Sequence, residues 1–172
     1  MLPISTSTRN LNLMQKNKLQ TIYLSLLAAF ICILLPWSGM ALKLRPDFVL
    51  LVIIFWTLRA PNKCNIGTAW FIGLWVDLAT GGIFGQHALA YTITAFVAVI
   101  YQRRLVLFSN SQQLVYVLLL LIISQVTLLT VKTFAGNESL GWAYFLPSIT
   151  GVILWQLAVA LGLNTSRPSR SK

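Results

Sequence analysis

Apolar residues in this chain gather into blocks rich enough to be buried in lipid, with short polar, basic or Gly/Pro-containing breaks between them. The first block runs from Leu19 to Trp37. The second runs from Phe48 to Leu58, opened by Arg45-Pro46-Asp47 and closed by Arg59-Ala60-Pro61. The third covers Ile66 to Ala79 and stops at Gly81-Gly82. The fourth is His87 to Tyr101, ended by Gln102-Arg103-Arg104, with a brief apolar segment, Leu105 to Phe108, behind it. The fifth is Gln112 to Val131 and the last Trp142 to Leu163. Proline at a first helical position and glycine just past a helix end are ordinary start and stop signals. The blocks predict an all-α integral membrane protein: a six-helix transmembrane bundle over residues 19–163, between polar, disordered tails at 1–18 and 164–172. Helices 2 and 3 are short. The second is 11 residues long, and at about 1.5 Å each these fall well short of the roughly 30 Å hydrocarbon core. The residues before it must dip toward the interface, or the helix is partly re-entrant. Leu19 to Trp37, with a basic stretch before it, has some features of a signal peptide. Its length of about 20 residues and the lack of a good A-x-A site favour an uncleaved first helix.

Two of the chain's three acids, Asp47 and Asp77, border or interrupt these blocks. A carboxylate at membrane depth is costly and marks a site or a structural partnership. Asp47 suits the positive end of the second helix and is expected to cap it. Asp77 belongs to a row of small residues, Ala69, Gly73, Gly81 and Gly85, that recurs every four positions. Such a row lies on one helical face and lets a neighbouring helix come close. Trp70, Phe71, Leu74 and Trp75 occupy the opposite side, so Asp77 is expected to point into the bundle. With six crossings, the start of helix 2 and the end of helix 3 share one level, and Arg45, with Lys43, is the expected ionic partner of Asp77. His87 reads as a polar helix start, Gln125 and Gln156 as interhelical hydrogen-bonding groups, and Trp37, Trp56, Trp142 and Tyr144 as interface or packing aromatics.

Composition agrees with the block pattern. Of 172 residues, 57% are hydrophobic and 9% charged, with a mean hydropathy of +0.77; soluble domains carry about 25% charged residues. The net charge of +10 could suit nucleic acid, but the cations sit at block ends and form no basic face interleaved with aromatics, which argues against it. If both termini are cytoplasmic, ten cations (Arg9, Lys16, Lys18, Arg59, Lys63, Arg103, Arg104, Arg167, Arg170, Lys172) lie inside and three (Lys43, Arg45, Lys132) outside. That split follows the positive-inside rule. Cys32 lies in an apolar block and Cys64 in a turn, which disfavours a disulfide, and two cysteines with one histidine make no metal cluster. No nucleophile triad, phosphate-cradling loop or converging aspartate pair is legible, so neither catalysis nor a cofactor is expected.

Arg45-Pro46-Asp47-Phe48, Trp56, Asn65-Ile66-Gly67, Gly73-Leu74-Trp75-Val76-Asp77, Gly82 and Gly85, in this order and spacing, resemble the rod shape-determining protein MreD family. That family shows an RP(D/N) start, a GxxxGxxxD-like third helix and a following G-x-x-G. The resemblance covers most of residues 20–163 and concentrates in 45–101. It implies a bacterial inner-membrane scaffold of the cell-elongation complex, needed for rod shape and lateral peptidoglycan synthesis. An MreC-like protein is the implied direct partner, with MreB, RodA and a penicillin-binding transpeptidase reached indirectly. Arg45, Pro46, Asp47, Gly73, Asp77, Gly82 and Gly85 are the implied structural and partner-positioning residues. The resemblance also implies a fold similar to transporter S-components, and with it a second reading, a small-molecule binding subunit of a membrane transporter.

Overall fold

A computed structural model describes residues 4–36, 38–40, 44–105, 110–136 and 142–160. These residues form six α-helices and no strand: α1 (Ile4–Leu34), α2 (Phe48–Arg59), α3 (Ile66–Thr80), α4 (Gln86–Leu105), α5 (Asn110–Phe134) and α6 (Leu146–Ala158), with a 3-10 turn at Trp142–Phe145 before the last. Helix number and order match the block pattern, and so do the Pro- and Gly-marked ends of α2 and α3. Lys43, Trp37, the segments 106–109 and 137–141 and the tail 164–172 lie outside the described residues.

Two boundaries differ from the sequence reading. Helix α1 begins at Ile4, so residues 4–18 are helical and not a disordered tail. Neither glycine nor proline occurs between Ile4 and Leu34, and a helix started in the apolar part can extend through polar residues of adequate propensity. The last helix does not run straight from Trp142. Pro147 occupies its first turn, and the preceding residues wind as a 3-10 turn. Proline lacks the N–H an α-helical interior needs, so the α-helix begins at Leu146 with the proline in its first turn.

Helix α4 is the hub. It packs against α3, α5 and α2, while α1 lies on α2 and α6 on α5. Its inward side is built of small residues, Ala88, Ala95 and Ala98, around one large one, Tyr91, and all four are buried. The core continues through Leu50, Ile53 and Ile54 of α2 and Val117 and Leu120 of α5. The periphery is equally apolar. Leu24, Leu27 and Ile31 on α1 and Trp70, Phe71 and Trp75 on α3 are each about half exposed or more. An apolar surface of this extent belongs against lipid or other chains. Residues 112–134 of α5 are long and apolar enough to cross a membrane, and only 28% of the most apolar stretch is buried in the molecule. The apolar parts of α1, α2, α3 and α6 are shorter.

Several polar contacts fix the helices. The Trp56 indole Nε1–H donates to Ser25 Oγ at 2.8 Å, tying α2 to α1. The Thr150 hydroxyl donates to the Leu44 carbonyl at 2.8 Å, tying α6 to the segment that leads into α2. Cys64 is buried beneath the α2–α3 turn, its sulfur accepting from the hydroxyls of Thr57 and Thr68 at 3.7 and 3.6 Å. Cys32 and Cys64 are both free thiols. Among the described residues no interhelical hydrogen bond of Gln125 or Gln156 is present, and Gln156 is exposed.

Candidate functional site

The site lies where α3 hands over to α4. Helix α3 starts with a reciprocal capping box: Asn65 Oδ1 accepts from Thr68 N at 3.2 Å, and Thr68 Oγ1 accepts from Asn65 N at 2.8 Å. It ends at Gly81, whose left-handed backbone (φ 64°) lets its N–H close on the Asp77 carbonyl. Gly85 has φ 92°, a conformation that a Cβ would strain. The two glycines turn the chain sharply enough for α4 to begin at Gln86, with its opening amides against the Asp77 side chain.

Asp77 reaches into that opening turn. Its Oδ2 accepts from Gly85 N at 2.9 Å and Ala88 N at 3.3 Å. Its Oδ1 accepts from His87 N at 3.0 Å and from the His87 ring at 2.7 Å. An ionised carboxylate only accepts, so His87 Nδ1–H is the donor. The Asp77 side chain is fully buried. It thus acts as the N-cap of a helix other than its own, supplying acceptors to the free N–H groups of a helix start. Near the end of α3 a negative charge opposes the helix dipole, at a cost of about 0.3–1 kcal/mol; at the start of α4 the same charge is favourable. Four hydrogen bonds to one carboxylate, each worth about 1.5–3 kcal/mol, decide the balance.

This differs from the expected Asp77–Arg45 pair. The side chain that meets Asp77 is His87, hydrogen-bonded through Nδ1 at 2.7 Å, and no ion pair of Arg45 with Asp77 occurs among the described residues. The backbone amides of α4 and the His87 ring together occupy both carboxylate oxygens. His87 accordingly does more than cap a helix start.

Asp47 caps α2 as the sequence implies, Oδ1 accepting from Leu50 N at 3.0 Å. The Tyr91 hydroxyl, invisible to the sequence reading, lies 2.7 Å from both Asp47 oxygens. Tyr91 follows His87 by one helical turn, and their rings meet edge-on at 5.8 Å. A line of side-chain contacts therefore runs from Asp77 through His87 and Tyr91 to Asp47, linking the end of α3, the start of α4 and the cap of α2, with a ring contact between its two hydrogen-bonded ends. The i, i+4 spacing of His87 and Tyr91 amid alanines is the signal that could have revealed it. Each carboxylate is held by its own donors, an arrangement unlike two acids sharing one proton.

The remaining predicted residues support this line. Pro46 is buried just before the Asp47 cap. A Cβ on Gly73 would lie 2.5 Å from Ala88 Cα, so glycine there lets α3 and α4 touch backbone to backbone. Gly82 faces Gln86, whose Nε2 would lie 2.5 Å from a Cβ at that position. Ala69, Gly73 and Asp77 do share the buried face of α3, with Trp70, Phe71 and Trp75 turned outward, but Gly81 and Gly85 serve the turn and not the helix stripe.

The sequence pattern of the rod shape-determining protein MreD family matches residues 15–162. The rod shape-determining protein MreD of Haemophilus influenzae is 31% identical over 130 residues, 74% of this chain and 78% of that protein. No solved structure matches the chain, so the expected likeness to transporter S-components finds no support. With the matched region running from α1 through α6, the chain belongs to the MreD family of rod shape-determining, membrane-associated proteins.

Proposed function

We propose that this protein is a non-catalytic scaffold of the bacterial cell-elongation complex in the inner membrane. Family membership carries the reading. In it, the chain binds an MreC-like protein directly and through it serves MreB, RodA and a penicillin-binding transpeptidase in lateral peptidoglycan synthesis. The broad apolar periphery supports an assembly role, since Leu24, Leu27 and Ile31 form an outward row at helical spacing on α1, suited to a partner's membrane helix. The test is depletion of the protein followed by microscopy, with affinity purification in mild detergent alongside. Rod cells should round up, and an MreC-like partner should co-purify. Cells that keep their shape, with a transport ATPase recovered in place of the partner, would favour the transporter-subunit reading.

In the same proposal all six helices are embedded in the membrane with both termini cytoplasmic, as the ten-to-three division of cations favours. Reporter fusions at Lys172 and within residues 137–141 should report opposite sides. Identical sides would remove the six-crossing arrangement.

A further inference from the structure

Helices α1, α2 and α6 form an open cleft of about 580 Å³. Helix α1 contributes a row of small residues at helical spacing, Thr21, Ser25, Ala28 and Cys32, and this row gives the cleft its depth. Leu51, Val52 and Phe55 line it from α2, and Trp155 and Ala158 from α6. The bond from Trp56 to Ser25 sets the register of the two longer sides. The α1 side runs from Thr21 to Cys32 and the α2 side from Phe48 to Arg59. Both stretches fit around that bond only if the two helices run in opposite directions. Thr21 is then level with Arg59, and Cys32 with Phe48.

The cleft is therefore polar at one end. Ser25 and Trp56 satisfy each other, and the Ser25 hydroxyl donates to the Ile22 carbonyl at 2.9 Å. Thr21 and Arg59, both exposed, share one mouth. From there inward the lining is apolar, as far as Cys32, whose thiol packs as a small hydrophobe. The Arg59 guanidinium lies 4.4 Å from the centre of the Phe55 ring, which itself lines the cleft, so the ring keeps the cation at the mouth. A guanidinium carries five N–H donors and serves several neighbours at once, phosphate oxygens above all.

An apolar slot with one cation at its end is complementary to an amphiphile with an anionic head. Size selects the kind. A helix laid along the 12 residues of α2 occupies on the order of 1,500 Å³ at its usual diameter, well beyond the cleft. An extended acyl chain is far thinner. In the six-crossing arrangement Arg59 faces the cytoplasmic leaflet, whose anionic lipids attract such cations.

We propose that this cleft binds one anionic phospholipid, with an acyl chain along Ala28, Leu51 and Phe55 and the phosphate at Arg59 and Thr21. The inference rests on the membrane embedding proposed above and not on the MreC-like partner. Reporter fusions test the embedding, whereas the lipid experiment needs only the purified chain, so the two can fail separately. The full chain in mild detergent is given equal amounts of dioleoyl-phosphatidylglycerol and dioleoyl-phosphatidylcholine, and retained lipid is counted by native mass spectrometry. One phosphatidylglycerol should be held, with a preference of about tenfold over phosphatidylcholine, as one charge-assisted contact provides. Arg59→Gln should erase that preference, and Arg59→Lys should keep most of it. Lys63→Gln should leave it unchanged, because Lys63 is an exposed cation of the next turn that does not line the cleft. Ala28→Phe fills the slot from an exposed position. It should lower phosphatidylglycerol retention about tenfold while the folded peak in size-exclusion chromatography and the unfolding temperature stay near those of the parent. Equal retention of the two lipids by the parent, equal losses from Arg59→Gln and Lys63→Gln, or unchanged retention in Ala28→Phe each overturns the proposal. So does an Ala28→Phe chain that keeps its lipid but loses a co-purifying protein, a result that would give the cleft to a partner's helix.

Discussion

Replacing Asp77 with alanine should cost about 3–5 kcal/mol, the penalty for removing one side of a buried charged network, and most of the protein should no longer survive extraction in folded form. The reason is the number of donors left behind. Gly85 N, His87 N, Ala88 N and the His87 ring all spend their hydrogen on this carboxylate, and alanine offers none of them an acceptor. Asp77→Asn keeps one acceptor oxygen but turns an NH2 group toward N–H donors, so it should fall between the parent and Asp77→Ala. His87→Ala removes one donor of the four and should be milder than either. Arg45→Ala should have a smaller effect, because Arg45 forms no ion pair with Asp77 among the described residues. Thermal unfolding in detergent, followed by the folded peak in size-exclusion chromatography, ranks these variants. Equal damage from Arg45→Ala and Asp77→Ala would restore the Arg45 pairing and discard the cap.

A single methyl group at Gly73 should also be damaging. Its Cβ would meet Ala88 Cα at 2.5 Å, Ala88 N at 2.6 Å and the His87 carbonyl carbon at 2.8 Å, all of them backbone atoms that cannot swing aside. Helices α3 and α4 would have to separate, which lengthens every bond from Asp77 to the start of α4. Overpacking in a close-packed interior costs about 1–3 kcal/mol, and Gly73→Ala is expected at the upper end of that range. Gly67 is the internal control. It sits on the same helix with only Asn65 Oδ1 near, at 3.4 Å, so Gly67→Ala should be neutral or gain up to about 1 kcal/mol of helix propensity. If the two substitutions shift the unfolding temperature alike, the close approach of α3 and α4 is not what Gly73 provides.

These two positions also mark how far the sequence can be read. Gly73 and the inward direction of Asp77 follow from a four-residue spacing, because helical periodicity converts spacing into a shared face. The Asp47 cap follows from its place beside Pro46 at the opening of an apolar run. What satisfies Asp77 does not follow, because its partners are mainly backbone amides, which have no letter in a sequence. Charge counting therefore selects Arg45, the nearest cation at that level, while the left-handed turns at Gly81 and Gly85 deliver N–H groups instead. The Tyr91–Asp47 bond is hidden for a related reason: it joins positions 44 apart and depends on how α4 crosses α2. The start of α1 is misread because polar residues without a breaker are compatible with both coil and helix, and composition alone does not separate them.

The Asp77 cap also has a bearing on how the chain is made. Every donor to this carboxylate lies downstream of it, between Gly85 and Ala88, so a ribosome that has just released α3 has produced an acid with none of its native donors. Helix α3 is 15 residues long, about 22 Å at 1.5 Å per residue, and in the six-crossing arrangement proposed above it would, alone, present both a short span and an uncompensated charge to the bilayer. Synthesis of the first turn of α4 removes the second defect, and packing of α4 along α3 relieves the first. In that proposed arrangement the translocation machinery should accept α3 and α4 as a paired hairpin, with α3 held at the lateral gate until its successor arrives.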